Sequence, residues 1–268
     1  MASAPRLTRF AGESWRTAGA MHARVVGAVI MRDLQTRFGV GYLGFLLGLI
    51  MPLGHLTIVV TITIMLRRPI PLGTDAAIFS MTGVLPFIIW LYSHRQVMGT
   101  LALNRPLTYF PGVDISDLFF AKAIIEVVAA TLVVATVLPV LSMLGYNLNI
   151  NNIYGFSYGL VLAWVLGIVT GMTFGLLGSI APVFFIFGNL LAPLFWVSSG
   201  LLFLPDALPE KLSAIVYFNP LAHVVDFVRE SYYSEYISLF FDPRYLMFFL
   251  VSILLFAMIL MFIIRRVT

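Results

Sequence analysis

Residues 153–180 read IYGFSYGLVLAWVLGIVTGMTFGLLGSI, a stretch without one charged side chain that follows two asparagines and ends just before Pro182. A helix needs roughly 20 consecutive apolar residues to cross the hydrocarbon core of a bilayer, which is about 30 Å thick. The stretch exceeds that length, and its repeated glycines are common in membrane helices. It therefore predicts a helix whose solvent is lipid.

The composition of the chain extends this prediction to the whole molecule. Apolar residues make up 60% of the 268 residues and charged residues only 10%, whereas soluble domains carry about a quarter charged residues. The arginines that give the net charge of +4 lie beside apolar stretches, which indicates membrane orientation and not nucleic-acid binding. The chain has no cysteine, which excludes disulfides and thiolate metal sites.

Five more apolar stretches accompany the first, and together they predict six membrane spans. The predicted spans are residues 42–66, 76–93, 118–144, 153–180, 183–204 and 245–264. If both termini are cytoplasmic, the excess of arginine and lysine falls on the inner side, as the positive-inside rule requires. We predict one all-α integral membrane domain over residues 1–268. Arginines spread over the first forty residues do not fit a cleaved signal peptide.

Three segments lie between or before the predicted spans. Residues 14–38 carry apolar side chains at four-residue spacing, interrupted by arginines and an aspartate, which predicts an amphipathic helix lying in the cytoplasmic interface. Residues 94–117 form the longest internal cytoplasmic segment, with Asn-Arg-Pro and Phe-Pro-Gly breaks that favour a short, rigidly placed helix. Residues 205–243 are too polar to span and too aromatic for a plain loop, so we predict re-entrant outer helices there.

No pattern for catalysis is found along the chain. It has no Gly-x-x-x-x-Gly-Lys-Ser/Thr loop, because its only lysines, Lys122 and Lys211, follow alanine and glutamate, so it cannot bind ATP in the phosphate-loop manner. Its four histidines lack the spacing that places metal ligands on one helical face. We predict a protein that is not an enzyme and carries no metal or cofactor of its own.

Two patterns inside the predicted spans each allow two interpretations. Lys122 and Glu126 are four residues apart, which suits either a structural ion pair at a helix start or a functional buried pair. The glycines of the fourth span let helices approach closely, either within one chain or at a dimer seam. The glycines concerned are Gly167, Gly171, Gly175 and Gly178.

Aromatic side chains near the span ends also have two interpretations. They form the interfacial belt of any membrane protein, or some line a path on which sugar rings stack. The candidates for a path are Trp90, Tyr92, Trp196, Tyr217, Tyr232 and Tyr233. If residues 227–236 are helical, Arg229 and Tyr233 share a face, so the two could meet an anionic sugar together. Alternatively, Arg229 pairs with Asp226 or Glu230 and only holds the outer helices in place.

The sequence resembles the membrane subunits of type-2 ATP-binding-cassette (ABC) exporters, and most closely the capsular polysaccharide export permeases of Gram-negative bacteria. Four blocks carry the likeness: residues 31–39 with Leu43-Gly44 and Pro52-Leu53; residues 82–87; Asn104 through Tyr109-Phe110-Pro111 to Asp117 and Glu126; and residues 217–221 with His223, Asp226 and Arg229. Leu47 and Met51 stand where tryptophan and an acid or asparagine are common, and Asp226 where glutamate is usual. These departures leave the sugar specificity open.

The resemblance implies a permease in the bacterial inner membrane that exports lipid-linked capsular polysaccharide. It implies a second copy of the chain, a dimer of ABC ATPase subunits that holds ATP and Mg, and periplasmic and outer-membrane export proteins as partners. Nucleic acid is not among the expected partners. The segment between spans two and three would dock on the ATPase, through Asn104, Arg105, Tyr109 and Asp117.

Other functions remain open at this point. The same machine could export O-antigen, teichoic acid or a small molecule. An ion-coupled secondary transporter would need deep carboxylates and an inverted repeat, and the chain shows neither convincingly. A membrane glycosyltransferase would need an acidic cluster for a metal-bound sugar nucleotide, and Asp114 and Asp117 are too far apart for a tight Asp-x-Asp pair.

Overall fold

The computed structural model describes residues 15–38, 42–65, 70–110 and 112–267, and over these ranges the chain is α-helical, without strands. This confirms the predicted all-α class. The predicted first-span end at Leu66 lies outside these ranges. The helices are α1 Trp15–Phe38, α2 Tyr42–Met65, α3 Ala76–Met98, α4 Thr100–Asn104, α5 Ile115–Met143, α6 Ile153–Ile180, α7 Val183–Ser198, α8 Glu210–Tyr217, α9 Pro220–Tyr232 and α10 Pro243–Val267.

Among the residues that the structure describes, 4 helices are long and apolar enough to cross a membrane, namely α3, α5, α6 and α10. With 16 residues, α7 is about 24 Å long at 1.5 Å per residue, which is shorter than a hydrocarbon core of about 30 Å. The membrane class is confirmed by the long apolar helices. The number of six crossings stays a prediction.

The centre of the bundle is the contact between α3 and α6, where glycines of α6 meet the backbone of α3. A methyl group on Gly171 would lie 2.5 Å from the His94 carbonyl oxygen, and one on Gly175 would lie 2.7 Å from that of Met98. These distances are far below van der Waals contact, so only glycine permits the approach. The glycine stripe therefore packs within one chain, and of the two interpretations the structure supports this one.

Helix α3 continues to Met98, beyond the predicted end of the second span at Ser93. The sequence places His94 and Arg95 there, which resemble the polar start of a loop. His94 is instead fully buried, with its ring nitrogens 2.9 Å from the Thr170 hydroxyl and 3.1 Å from the Gly188 carbonyl oxygen. Because these partners satisfy the imidazole, the helix does not have to end at this residue.

Helix α7 ends at Ser198, earlier than the predicted fifth-span end at Leu204. The amide of Ser199 still bonds to the Phe195 carbonyl at 2.8 Å, but Gly200 adopts the left-handed region with φ of 77°. A left-handed glycine just past the last turn is a common helix terminator. Residues 201–204 consequently form an irregular stretch and not a further helical turn.

The segment 205–243 contains the two short helices α8 and α9. Asn219 caps α9 by accepting a bond from the Leu221 amide at 2.9 Å, and Pro220 occupies the first helical position, where its missing N–H costs nothing. Helix α9 is mostly buried and packs on α3 and α6. Two short helices were predicted here; that they dip into the membrane from its outer face stays a prediction.

Candidate functional site

One end of the bundle, which we call the α1 end, is held by a cluster of charged side chains. Here α1 meets α4, the start of α5 and the last turn of α10. Lys122 Nζ lies 2.8 Å from Asp33 Oδ2, and Arg32 donates to the same carboxylate at 2.9 Å. Burial raises the pKa of Asp33, but the hydrogen bonds and charges of Lys122 and Arg32 outweigh it and lower the pKa.

The sequence interpretation missed Asp33 as a partner of Lys122. It paired Lys122 with Glu126 because their spacing lies within one helix, whereas Asp33 lies on a helix far away along the chain. Lys122 and Asp33 are both nearly buried, with side-chain exposures of 9% and 10%. The only sequence feature that pointed to this pairing was the charged pair Arg32-Asp33 within the predicted interface helix.

The predicted coupling residues at the α1 end form two groups, one buried against α1 and one exposed. The buried group is Asn104 and Asp117. Asn104 is buried, donates to the Thr100 carbonyl at 2.8 Å and accepts from Arg32. Asp117 is buried, forms a capping box with Asp114 at the start of α5 and pairs with His22 of α1. Both residues tie α1 to the predicted coupling segment. The side chain of Arg105 lies outside the described residues.

Tyr109 belongs to the second group, which faces outward. It is 74% exposed, and Leu103 and Phe110 beside it are 72% and 61% exposed. We call these three residues the exposed patch. Three large apolar side chains that protrude next to a charged cluster are unusual for an unpartnered surface. The pairing of Arg265 in α10 with Asp114 connects the same region to the last helix.

Two of the predicted path tryptophans lie inside the bundle. Trp90 has no exposed surface, stacks on His94 with ring centroids 5.2 Å apart and contacts Phe195 at 4.8 Å. Trp196 is half-buried and donates its indole N–H to His55 at 3.2 Å. Tyr92 is also half-buried. In a single chain, therefore, Trp90 lines no open path.

Arg229, like Trp90, is a predicted path residue with no exposed surface. Its guanidinium donates to the Phe203 carbonyl at 2.9 Å and the Leu201 carbonyl at 3.3 Å, and it lies 4.2 Å above the ring of Phe79. Burial lowers its pKa to about 10, still far above neutrality. The arginine thus joins α9 to α3 and to the irregular stretch after α7, which is the geometry of a clamp.

Asp226 has other partners than Arg229. It is fully buried and accepts from the hydroxyl of Tyr236 at 2.9 Å and from that of Ser238. The Tyr236 hydroxyl also lies 3.0 Å from the carboxylate of Asp206. These bonds fasten the segment after α9 to the helix itself, and burial raises the pKa of Asp226 despite them.

Three of the four predicted path tyrosines lie near α9 or α10, in different surroundings. Tyr217 donates its hydroxyl to Asp242 at 2.7 Å, a bond that lowers the pKa of that carboxyl. Tyr232 and Tyr233 are buried, with rings 4.9 Å apart, at the C-terminal end of α9. Arg229 and Tyr232 lie on α9, whereas Tyr233 follows the last residue of the helix in extended backbone. Arg229 and Tyr233 therefore do not share a helical face, and Tyr217 lies next to the start of α10.

Comparison with known proteins gives a consistent set of relatives. A capsule polysaccharide export inner-membrane protein, CtrC, of Neisseria meningitidis serogroup B is 27% identical over 244 residues, covering 89% of this chain and 90% of the relative. The polysialic acid transport protein KpsM of Escherichia coli is 28% identical over 237 residues, covering 85% and 89%.

A third relative is the capsule polysaccharide export inner-membrane protein BexB of Haemophilus influenzae, 26% identical over 220 residues, or 81% of this chain and 82% of the relative. No family model matches the chain. The chain is thus a homologue of capsule polysaccharide export inner-membrane proteins.

Proposed function

We propose that the chain is the permease subunit of an ATP-driven exporter that moves lipid-linked capsular polysaccharide across the bacterial inner membrane. The observation that carries this proposal is the similarity, over most of the chain, to capsule export proteins of two organisms and to a polysialic acid transport protein of a third. The long apolar helices support the location. The polymer would be enclosed by two copies of the chain.

The ATP is hydrolysed, in this proposal, by a separate pair of ABC ATPase subunits. The exposed patch is the surface we assign to the ATPase, because it is apolar and adjoins the cluster that ties α1, α4, α5 and α10 together. A displacement of the patch would reach four helices through the charged and polar contacts described above. Such a rigid connection suits a shift between two discrete arrangements.

The experiment that tests the proposal is co-purification of the chain with its ATPase, combined with measurement of surface capsule in a deletion strain. We expect the chain alone to show no ATP turnover and the complex to show it. Leu103→Ala combined with Tyr109→Ala should reduce ATPase recovery about tenfold. The matched control is Leu239→Ala, since Leu239 is also apolar and 89% exposed but lies outside the patch.

Several outcomes would contradict the proposal. ATP turnover by the chain without a partner would rule out the two-component machine. Wild-type recovery of the ATPase by the Leu103 and Tyr109 double variant would remove the patch from the interface. If the deletion strain keeps its capsule but loses O-antigen or teichoic acid from its surface, the assignment as an ATP-driven exporter is retained and the assignment of capsular polysaccharide as its substrate is wrong.

A further inference from the structure

A cavity of about 370 Å³ lies at the end of the bundle opposite α1, which we call the far end. Its walls come from the loop before α3, the loop between α5 and α6, and the end of α9. The lining residues are Gly73, Thr74, Asp75, Ile78, Asn147, Asn149, Ile150, Asn151, Tyr232, Tyr233, Ser234 and Glu235. The volume falls within the range of roughly 300–1,000 Å³ that small-molecule sites occupy.

The lining is rich in groups that hydrogen-bond to hydroxyls. Three asparagine amides both donate and accept, and the Thr74 and Ser234 hydroxyls do the same. Asp75 and Glu235 accept only. No lysine, arginine or histidine is among the described residues of the wall. Within the described part of the wall, an anionic ligand would therefore meet two carboxylates and no cationic side chain, whereas an uncharged polyol would find donors and acceptors on several sides.

Tyr233 supplies the observation that points to a ligand. It is only 7% exposed, and its hydroxyl has no hydrogen-bond partner among the described residues. A buried hydroxyl without a partner costs free energy that folding alone does not recover. Its ring packs against Gly73, whose φ is +68° and where a methyl group would lie 2.9 Å from the ring. Glycine at position 73 thus lets the loop before α3 lie directly against this ring.

The walls of the cavity are also held in place. The amide of Asn151 donates to the Tyr232 carbonyl at 3.1 Å and that of Asn152 to the Ser231 carbonyl at 2.8 Å. Asn152 in turn caps α6 by accepting from the Gly155 amide at 3.0 Å. The loop that carries the asparagines is therefore fixed to the end of α9, and little ordering remains to be done when a ligand binds.

We propose that this cavity binds an uncharged, hydroxyl-rich sugar unit. The inference rests on the proposed function, because the far end is where an exported polysaccharide would leave the bundle. A neutral sugar satisfies the Tyr233 hydroxyl, the asparagine amides and both carboxylates at once. An acidic sugar unit, such as those of the polysialic acid named for the E. coli relative, would be repelled by Asp75 and Glu235.

The test is glycan binding to the full chain in lipid nanodiscs, followed by saturation-transfer NMR. The probes are neutral oligomers of glucose, galactose, mannose and N-acetylhexosamines, and an oligomer of sialic acid. We expect at least one neutral oligomer to bind, and Tyr233→Phe to weaken its affinity about fivefold, the size of one lost hydrogen bond. The matched control is Tyr245→Phe, which removes a hydroxyl bonded to the Phe218 carbonyl at 2.8 Å outside the cavity.

Thermal unfolding separates binding from folding in these variants. Tyr233→Phe should unfold at the wild-type temperature or above it, because the lost hydroxyl has no partner, while Tyr245→Phe should unfold lower. Absence of binding by every neutral oligomer, equal binding by Tyr233→Phe, or Tyr233-dependent binding of the sialic acid oligomer would overturn the inference. These assays need no ATPase. Failure of the chain to co-purify with an ATPase would contradict the proposed function, but it would not change the measured sugar binding.

Discussion

Arg229 is the residue whose burial has the clearest consequence for experiment. A lysine there carries the charge, but it cannot bond to two carbonyls while lying flat on the Phe79 ring. We expect Arg229→Lys to destabilise the chain nearly as much as Arg229→Ala, each by about 3 kcal/mol, because backbone carbonyls are left unpaired at roughly 1–3 kcal/mol each. Thermal unfolding in detergent measures this.

A matched control for that prediction exists at the end of α10. Arg266 also lies 4.2 Å above a phenylalanine ring, that of Phe262, but it is exposed. Arg266→Lys should change the unfolding temperature little. If Arg229→Lys folds and assembles like the wild type while export falls only modestly, the clamp assignment is wrong and the guiding role on an anionic polymer is supported.

The sequence predicted the position of Arg229 on α9 but not its partners. Helical spacing places Arg229, Asp226 and Tyr233 near one another, so a pairing within the helix was the natural alternative. The actual acceptors are the backbone carbonyls of Leu201 and Phe203. Every residue has a carbonyl, so side-chain patterns contain no signal for which carbonyl an arginine will meet. The predictions that Trp90 and Trp196 line a path stay untested.

At the scale of helices, the approach of α3 to α6 can be tested at one position. Gly171→Ala would place a methyl group 2.5 Å from the His94 carbonyl oxygen, and backbone cannot move aside as a side chain can. We expect a loss of stability of about 1–3 kcal/mol, the usual cost of overpacking. Gly54→Ala is the control, because nothing lies within 4 Å of the position. Equal unfolding temperatures for the two variants would contradict the close approach.

The docking of α1 depends on the pair formed by Asp33 and Lys122. Asp33→Asn leaves the nearly buried lysine without its charge partner, which costs about 3–5 kcal/mol when such a pair is broken on one side. We expect faster hydrogen–deuterium exchange over residues 19–33. Arg24→Gln is the control, since Arg24 is exposed and bonds only within its own helix. Replacing both Asp33 and Lys122 by leucine should restore most of the protection.

The same pair gives α1 a pH dependence with a defined sign. The pKa of Asp33 is lowered in the folded chain, so its contribution is fully present above the ordinary aspartate pKa. It is lost as the pH falls through the lowered value. Protection of α1 should therefore be constant near neutrality and decline only in acid. Protection that declines between pH 8 and 6 would assign the contact to another group.

The helix boundaries show where periodicity succeeds and where it fails. The bounds of α6 match the quoted stretch because no polar residue interrupts it. Helix α3 runs five residues past the predicted span end at Ser93. His94 and Arg95 resemble the start of a loop in the sequence, but Thr170 and the Gly188 carbonyl, both on other helices, satisfy the imidazole of His94. Such tertiary partners lie outside any window along the chain.

For the whole molecule, the orientation in the membrane is the prediction to test. The exposed patch and the cavity lie at opposite ends of the bundle, so reporters fused at Leu103 and Thr74 should give opposite signals. We expect the cytoplasm at Leu103 and Thr268 and the periplasm at Thr74 and Leu208, from the distribution of positive charge. A cytoplasmic signal at Leu208 would overturn the assignment of residues 205–243 to the outer side.

The composition of α3 also constrains the order in which the helices can integrate into the membrane during synthesis. It has the lowest mean hydropathy of the long apolar helices, 1.7 against 2.5, 2.2 and 3.1, yet 89% of its apolar window is buried. Its chief partners α6 and α9 emerge from the ribosome later. A newly made α3 therefore has no partners for His94 until Thr170 of α6 and Gly188 of α7 have been made, and its stable integration must wait for synthesis to pass residue 188. Chains cut short after α5 should be degraded.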